Sequence, residues 1–315
     1  MSDFESVPSS EAPGAVYRIG TAGWSYEDWE GIFYPSPRPR GFRPLPYYCR
    51  FFNLVEINAT FYGVMPPSRA EKWVRDVAGR PDFTFSLKLH RGLTHERPET
   101  LPAGDVAAIR DMCQVLADAG RLGALLIQFP WSFRFSEENV AYLARLLDAF
   151  QPFPCAVEVR HAGWHNERYL ELLQERGAAF CNIDQPQLHD CLSPTAIATA
   201  PFSYLRLHGR NRANWFSEKA DAAERYDHYY GPREVDEMAR LAEALAEQTS
   251  CVMVTTNNHY RGQAAADALL LRAALEGHAD AVPPPLLRAF PDLAAVPTSR
   301  AAEPDPGSQT DLFEQ

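Results

Sequence analysis

The sequence predicts an α/β protein: a (β/α)8 TIM-type barrel forming a single domain with flexible N- and C-terminal tails. Three observations predict it. Eight short β-like runs alternate with amphipathic helical stretches. Together they span residues 17–293, close to the ~250 residues usual for such a barrel. The first run ends in GTAGW rather than a GxGxxG phosphate turn, which argues against a doubly wound open sheet.

The elements follow from period and punctuation. Strands are expected near 17–22, 54–58, 83–90, 123–129, 155–160, 179–184, 203–208 and 251–257. Helices are expected near 67–78, 103–119, 136–150, 166–176, 233–248 and 262–276, with a short first helix within 43–52. Residues 186–200 read as irregular. Pro283–Pro285 end the last helix, and 286–293 are expected to fold back on the barrel base. Residues 1–16, rich in Ser, Pro and Glu, form one tail, and residues 294–315 form the other.

Composition narrows the class. Of 315 residues, 46% are hydrophobic and 23% charged, as in a globular chain rather than a disordered or fibrous one. The net charge is −11, and the tails carry −6 of it: three acids without a base over 1–16, and four acids against Arg300 over 297–315. The body is only mildly acidic, which excludes a general basic coat but not a local basic cleft. The six cysteines are scattered without a CxxC pair, so a zinc knuckle or redox dithiol is not expected and a reducing, cytoplasmic setting is. Residues 1–16 lack the basic start and apolar stretch of a signal peptide. No apolar run reaches the ~18 residues of a membrane span, so no membrane partner is expected. Only three lysines occur, at 72, 88 and 219, against 27 arginines, which makes a lysine kept in mid-strand at Lys88 conspicuous.

The strands carry polar residues at period two near their C-terminal ends. Glu56 and Asn58, Lys88 and His90, Glu158 and Arg160, Asn182 and Asp184, and Arg206 and His208 each share a face. Gln128 and Asn257 or Asn258 complete the set. In a barrel these are expected to fill the upper interior, where active sites sit. The plain alternative is a structural salt-bridge network, Glu158 with Arg206 and Glu56 with Lys88. Trp24, Trp29, Trp131, Trp164 and Trp215 follow strand ends, with Tyr26, Phe33, Tyr34, Phe61, Tyr62 and Phe133 and several arginines. Half are expected to plug loops, and the rest to form a rim that stacks on bases or sugars and holds phosphates. The long segment 209–232 reads as a lid or substrate loop.

Six ordered blocks then carry a resemblance: GTAGWSYEDWEGIFYP (20–35), LVEINATFYGVMPP (54–67), FSLKLHRGLTHE (85–96), AVEVRHAGW (156–164), YLRLHGR (204–210) and TTNNHYRGQAAADA (255–268). The chain resembles the YecE-like family, known as domain of unknown function seventy-two, from about residue 18 to 293. The resemblance implies a TIM-type barrel and supplies no reaction. Its shared polar positions map onto Glu56, Asn58, Tyr62, Lys88, His95, Glu158, Arg160, Arg206, His208, Gly209 and Asn258; His90 departs from its pattern. In the tail, Gln309-Thr310-Asp311-Leu312-Phe313 resembles the pentapeptide that binds the bacterial β sliding clamp, with Gln309, Leu312 and Phe313 as its contacts.

These readings predict a DNA-repair or nucleic-acid-processing enzyme, of phosphodiester or nucleotide hydrolase type, recruited by the clamp. The expected catalytic residues are Glu56, Lys88, Glu158, Asp184 and His208. Carboxylates serve as base or metal ligand, Lys88 holds phosphate or developing charge, and His208 is the acid. The expected substrate contacts are Trp24, Asn58, Tyr62, His95, Gln128, Arg160, Arg206, Trp215 and Asn258. Glu158, Asp184, His208 and His259 are suitable ligands for a divalent metal, although no short metal signature such as HExxH is present. The alternatives are a sugar or sugar-phosphate enzyme using Glu56 and Glu158 as a pair, and a non-catalytic nucleic-acid and clamp adaptor.

Overall fold

A computed structural model describes residues 14–212, 215 and 225–299. Eight parallel strands close into one barrel in sequence order. They are β1 (Val16–Ala22), β2 (Leu54–Ile57), β3 (Thr84–Lys88), β4 (Leu122–Gln128), β5 (Cys155–Glu158), β6 (Ala179–Asp184), β7 (Phe202–Leu207) and β8 (Cys251–Thr256). Closure is made by β1 on β8, from Val16 opposite Cys251 to Thr21 opposite Thr256.

The helices lie near their expected places. Ser68–Asp76, Ala103–Asp118, Glu137–Phe150, Glu167–Glu175, Gly231–Ala246 and Gln263–Glu276 follow successive strands, and β6 is the exception. Two starts are fixed by side chains: Ser136 accepts from the Asn139 amide at 3.2 Å and Asn166 from the Tyr169 amide at 3.0 Å. The core lies between helices and barrel, with Leu125, Ile127, Val157, Leu205 and Val254 fully buried. Gly20 has a packing reason: a Cβ there would stand 1.8 Å from the Leu54 carbonyl oxygen, so a side chain would prise β1 from β2.

No helix follows β6, and residues 186–200 are irregular as the sequence suggests. β6 itself corrects an expectation. Its register sets Cys181 opposite Tyr204 and Ile183 opposite Arg206, while Asn182 faces Leu205 and Asp184 faces Leu207. Asn182 and Asp184 therefore point outward, not into the barrel. The missing helix explains the phase. Asn182 substitutes for it, accepting from the Ile197 amide at 2.9 Å and donating to the Ile197 carbonyl at 2.9 Å.

The segment 286–293 also differs from expectation. Leu286 and Phe290 pack on Gly262, after β8, and the Tyr229 hydroxyl, after β7, meets Asp292 at 3.2 Å. The segment lies against the mouth-side loops rather than under the base. Among the described residues the cysteines are free thiols, and no helix is long and apolar enough to cross a membrane. Gln309, Leu312 and Phe313 lie outside the described residues.

Candidate functional site

Register brings Glu56, Lys88, Gln128, Glu158 and Arg206 onto the inner face of five strands: Glu56 pairs with Ser86 two residues before Lys88, and Gln128 pairs with Glu158. Arg206 is the hub. Its Nε and Nη2 donate to Glu56 at 2.9 and 2.6 Å, and its Nη1 donates to Glu158. The Tyr204 hydroxyl completes Glu56 at 3.1 Å, and Arg160 Nε reaches Glu158 at 2.9 Å. Glu56, Glu158, Arg206 and His208 are all buried. The expected pairing of Glu158 with Arg206 is present, but Glu56 pairs with Arg206 rather than Lys88.

His208 sits in the same layer, its Nε2 3.2 Å from Glu158 and its Nδ1 3.0 Å from the Asn257 amide. With Asn257 donating to Nδ1, the imidazole proton is assigned to Nε2, facing Glu158. Burial pushes the imidazole down to about 3, against the pull of Glu158, so the ring is neutral near pH 7. Burial opposes the charge of Glu158 too, but Arg206, His208 and Arg160 hold it well below the usual carboxylate range. Neither group is placed as an acid or base open to a ligand. They belong to the floor of the site, whose charges are those of Glu56, Glu158, Arg160 and Arg206.

The pocket opens above that floor. A cavity of about 360 Å³ is bounded by Tyr62, Lys88, His95, Gln128, Arg160 and Trp215, with Phe61, Trp131, Arg225 and Tyr226. A second lobe of about 160 Å³ shares Lys88, Phe61, Tyr62 and Tyr226 and adds Tyr26, Asn58, Asn257 and His259. Among the described residues no carboxylate lines either lobe. Arg160 lies under the Trp215 ring, 5.2 Å from its centre, and Tyr26 stacks on His259 at 4.3 Å. Tyr62 is 74% exposed at the rim. The turn after β2 is tied to β3 by the Thr60 hydroxyl, which donates to the Lys88 carbonyl at 2.7 Å and so sets Phe61 beside the lysine.

Lys88 Nζ lies 4.2 Å from the centre of the Phe61 ring. Burial, and then the charge of Arg206, push its amine down to about 7, against Glu56 and Glu158. His95 Nδ1 is 3.0 Å from the Thr94 hydroxyl, and burial followed by Lys88 and Arg160 pushes the ring down to about 4. Near pH 7 the wall therefore presents a lysine with a large neutral fraction, a neutral imidazole and two guanidinium groups.

Several expected residues stand elsewhere. Asp184 is taken by Arg210 at 2.9 Å and by the Tyr230 hydroxyl at 2.6 Å, on the outer side of β6. The proposed metal set therefore does not converge, since Asp184 and Glu158 lie on opposite faces. Among the described residues no group of three or more His, Cys, Asp or Glu side chains is arranged to hold a metal. Asn258 is a structural tie, donating to Asp267 at 2.7 Å and to the His228 carbonyl at 2.6 Å. Trp24 packs edge-on against Trp73, 6.1 Å between centres, outside the pocket wall. Trp29, Phe33, Tyr34, Phe133 and Trp164 are fully buried loop plugs. Arg225 and Tyr226 line the pocket without having been singled out; their only signal is a place within the 209–232 loop.

Residues 18–291 match the family described as protein of unknown function DUF72. The chain belongs to that family. The UPF0759 protein YunF of Bacillus subtilis is 30% identical over 263 residues, covering 78% of this chain and 90% of that protein. A DUF72 family protein from Thermotoga maritima is similar in structure, with a TM-score of 0.72 and 33% identity over 83% of this chain and 99% of that one. A DUF72 family protein from Enterococcus faecalis also gives a TM-score of 0.72, at 25% identity, covering 83% of this chain and 96% of that one. Family membership supports the barrel and carries no reaction with it.

Proposed function

We propose that this DUF72 protein is an enzyme whose barrel mouth takes a phosphate-bearing sugar or nucleotide unit, as found in DNA. One observation carries the reading: a pocket of about 360 Å³ joins Lys88, Arg160 and Arg225 to the rings of Phe61, Tyr62, Trp131, Trp215 and Tyr226, with no carboxylate on its wall among the described residues. Cations beside aromatic faces suit an anion attached to a flat or apolar group, because each ring also gains from the neighbouring charge. The glycosidase alternative needs two carboxylates divided between acid and nucleophile. Glu56 and Glu158 are instead both bound to Arg206 and buried. The hydrolase chemistry expected of Glu158 and His208 accordingly shifts to the groups that face the cavity, Lys88 and His95.

The experiment is equilibrium binding of a 5′-labelled single-stranded oligonucleotide and of a mononucleotide, followed by Trp fluorescence. Arg160→Ala removes a charge-assisted contact and is expected to weaken binding about tenfold, the equivalent of ~1.4 kcal/mol. Equal affinity in the variant and the wild type would overturn the reading. The Gln309–Phe313 peptide supports recruitment to DNA by a sliding clamp. Deleting residues 309–313 is expected to abolish clamp binding while leaving the melting temperature unchanged, since among the described residues the last backbone bridge, Ala279 with Thr298, precedes them.

A further inference from the structure

Lys88 is placed for a different chemistry from holding phosphate. The two carboxylates nearest to neutralising it are engaged by Arg206, and Glu158 by Arg160 as well. Among the described residues no carboxylate lies within ion-pair distance of its amine, which rests instead over the Phe61 ring. The amine borders both lobes of the cavity, so a ligand in either one meets it. His95, Arg160 and Arg225 line the main lobe with it.

We propose that Lys88 is a nucleophile that forms an imine with an aldehyde bearing a phosphate ester on its β carbon, with Arg160 and Arg225 receiving the phosphate. This deepens the reading of the pocket as a phosphate site and rests on it. An amine must be neutral to attack. Desolvation beside fixed cations is how a lysine becomes neutral near pH 7, and burial with Arg206 brings Lys88 to about 7. The Nζ lone pair adds to the aldehyde carbon, and the carbonyl oxygen takes up a proton. The carbinolamine then loses water and leaves a C=N bond to Lys88. The neutral ring of His95, held by the Thr94 hydroxyl, can carry the proton from nitrogen to the departing oxygen. The imine nitrogen takes a proton from solvent, and the resulting cation acidifies the adjacent C–H. The neutral ring of His95 accepts that proton, leaving an enamine whose electron pair expels the β phosphate as an anion. Addition of water to the unsaturated imine returns free Lys88 and an unsaturated aldehyde. No oxidant or reductant is required.

Two sources share this β-phosphoryloxy aldehyde: a free three-carbon sugar phosphate, and the ring-opened sugar of an abasic site in DNA. The test incubates the full chain with sodium cyanoborohydride and either glyceraldehyde 3-phosphate or a duplex oligonucleotide carrying one abasic site. Peptide mass spectrometry then maps the reduced adduct. With three lysines in the chain the map is simple, and exposed Lys72, paired with Asp76 at 2.6 Å, is the internal reference. The expected result is an adduct at Lys88 at least about tenfold above Lys72, absent from Lys88→Arg. The probe that yields it identifies the source. Equal labelling of Lys72 and Lys88, or none with either probe, overturns the proposal. If oligonucleotide binding still depends on Arg160 in that case, the pocket reading stands and only the nucleophile falls. If phosphate-free glyceraldehyde is trapped as well as its phosphate, the nucleophile stands and the phosphate assignment falls.

Discussion

Arg206 grips Glu56 through two parallel hydrogen bonds, Nε to Oε2 at 2.9 Å and Nη2 to Oε1 at 2.6 Å, with both side chains removed from water. The remaining guanidinium nitrogen reaches Glu158. One cation thus serves two buried carboxylates, and its removal leaves both without their principal partner. Arg206→Met is expected to cost about 3–5 kcal/mol, the usual penalty of an uncompensated buried charge. Denaturant midpoints at unchanged m-value measure it. A loss below ~1 kcal/mol would show that water enters the floor. Arg206→Lys is expected to recover little, because an ammonium cannot reproduce the two-point contact.

Acid should weaken the fold through His208 first. Its ring takes a proton near 6.5 in an unfolded chain and near 3 in the folded one. Between those values the unfolded state binds more protons, so stability falls as pH drops from about 6.5 toward 3. Glu158, held below its ordinary 4.5, adds a second loss at lower pH, where the unfolded carboxyl is protonated before the folded one. His95, pushed down to about 4, contributes over the same stretch, so His208→Gln is expected to reduce the slope there without abolishing it and to keep the second loss. The check is the slope of unfolding free energy against pH in wild type and variant.

Much of the site was legible in the sequence because period-two alternation is strict: Glu56, Lys88, Glu158 and Arg206 share the inner face as their spacing requires. Three things were not legible. Alternation defines two faces of a strand but not which one turns inward, and in β6 the inward face is the apolar one carrying Cys181 and Ile183. The partner of Glu56 was also hidden. Arg206 lies 150 positions from Glu56 and meets it only because the barrel closes. The rim residues Arg225 and Tyr226 come from a loop whose path has no periodic signature.

Asp184 tests the β6 phase directly. It accepts from Arg210 and Tyr230, and the Tyr230 hydroxyl in turn accepts from the Gly209 amide at 2.9 Å. Asp184→Ala breaks this anchor of the β7 loop and is expected to cost about 1–3 kcal/mol for the buried donors left without a partner. Thermal melts measure it. An outcome near zero would mean that the Asp184 contacts contribute nothing net and that the loop is anchored elsewhere.

Lys88 brings stability and activity into opposition. Its ammonium is disfavoured in the folded chain, where it titrates near 7 rather than 10.5. Glu56, Glu158, Arg206, Arg160 and His95 are the charged or titratable groups that set this value, and the two carboxylates do not outweigh burial and the neighbouring arginines. Between about 7 and 10.5 the unfolded state binds the extra proton, so stability rises with pH across that interval, and the full cost is present below it. Lys88→Met keeps an apolar stem against Phe61 and removes the charge. The variant is expected to melt above wild type at pH 6 to 7, with the gap closing as pH approaches 10, and to lose imine formation at every pH. Such a pair of results identifies a residue retained for chemistry at a cost to the fold. A variant that melts well below wild type would instead make Lys88 a structural member of the floor.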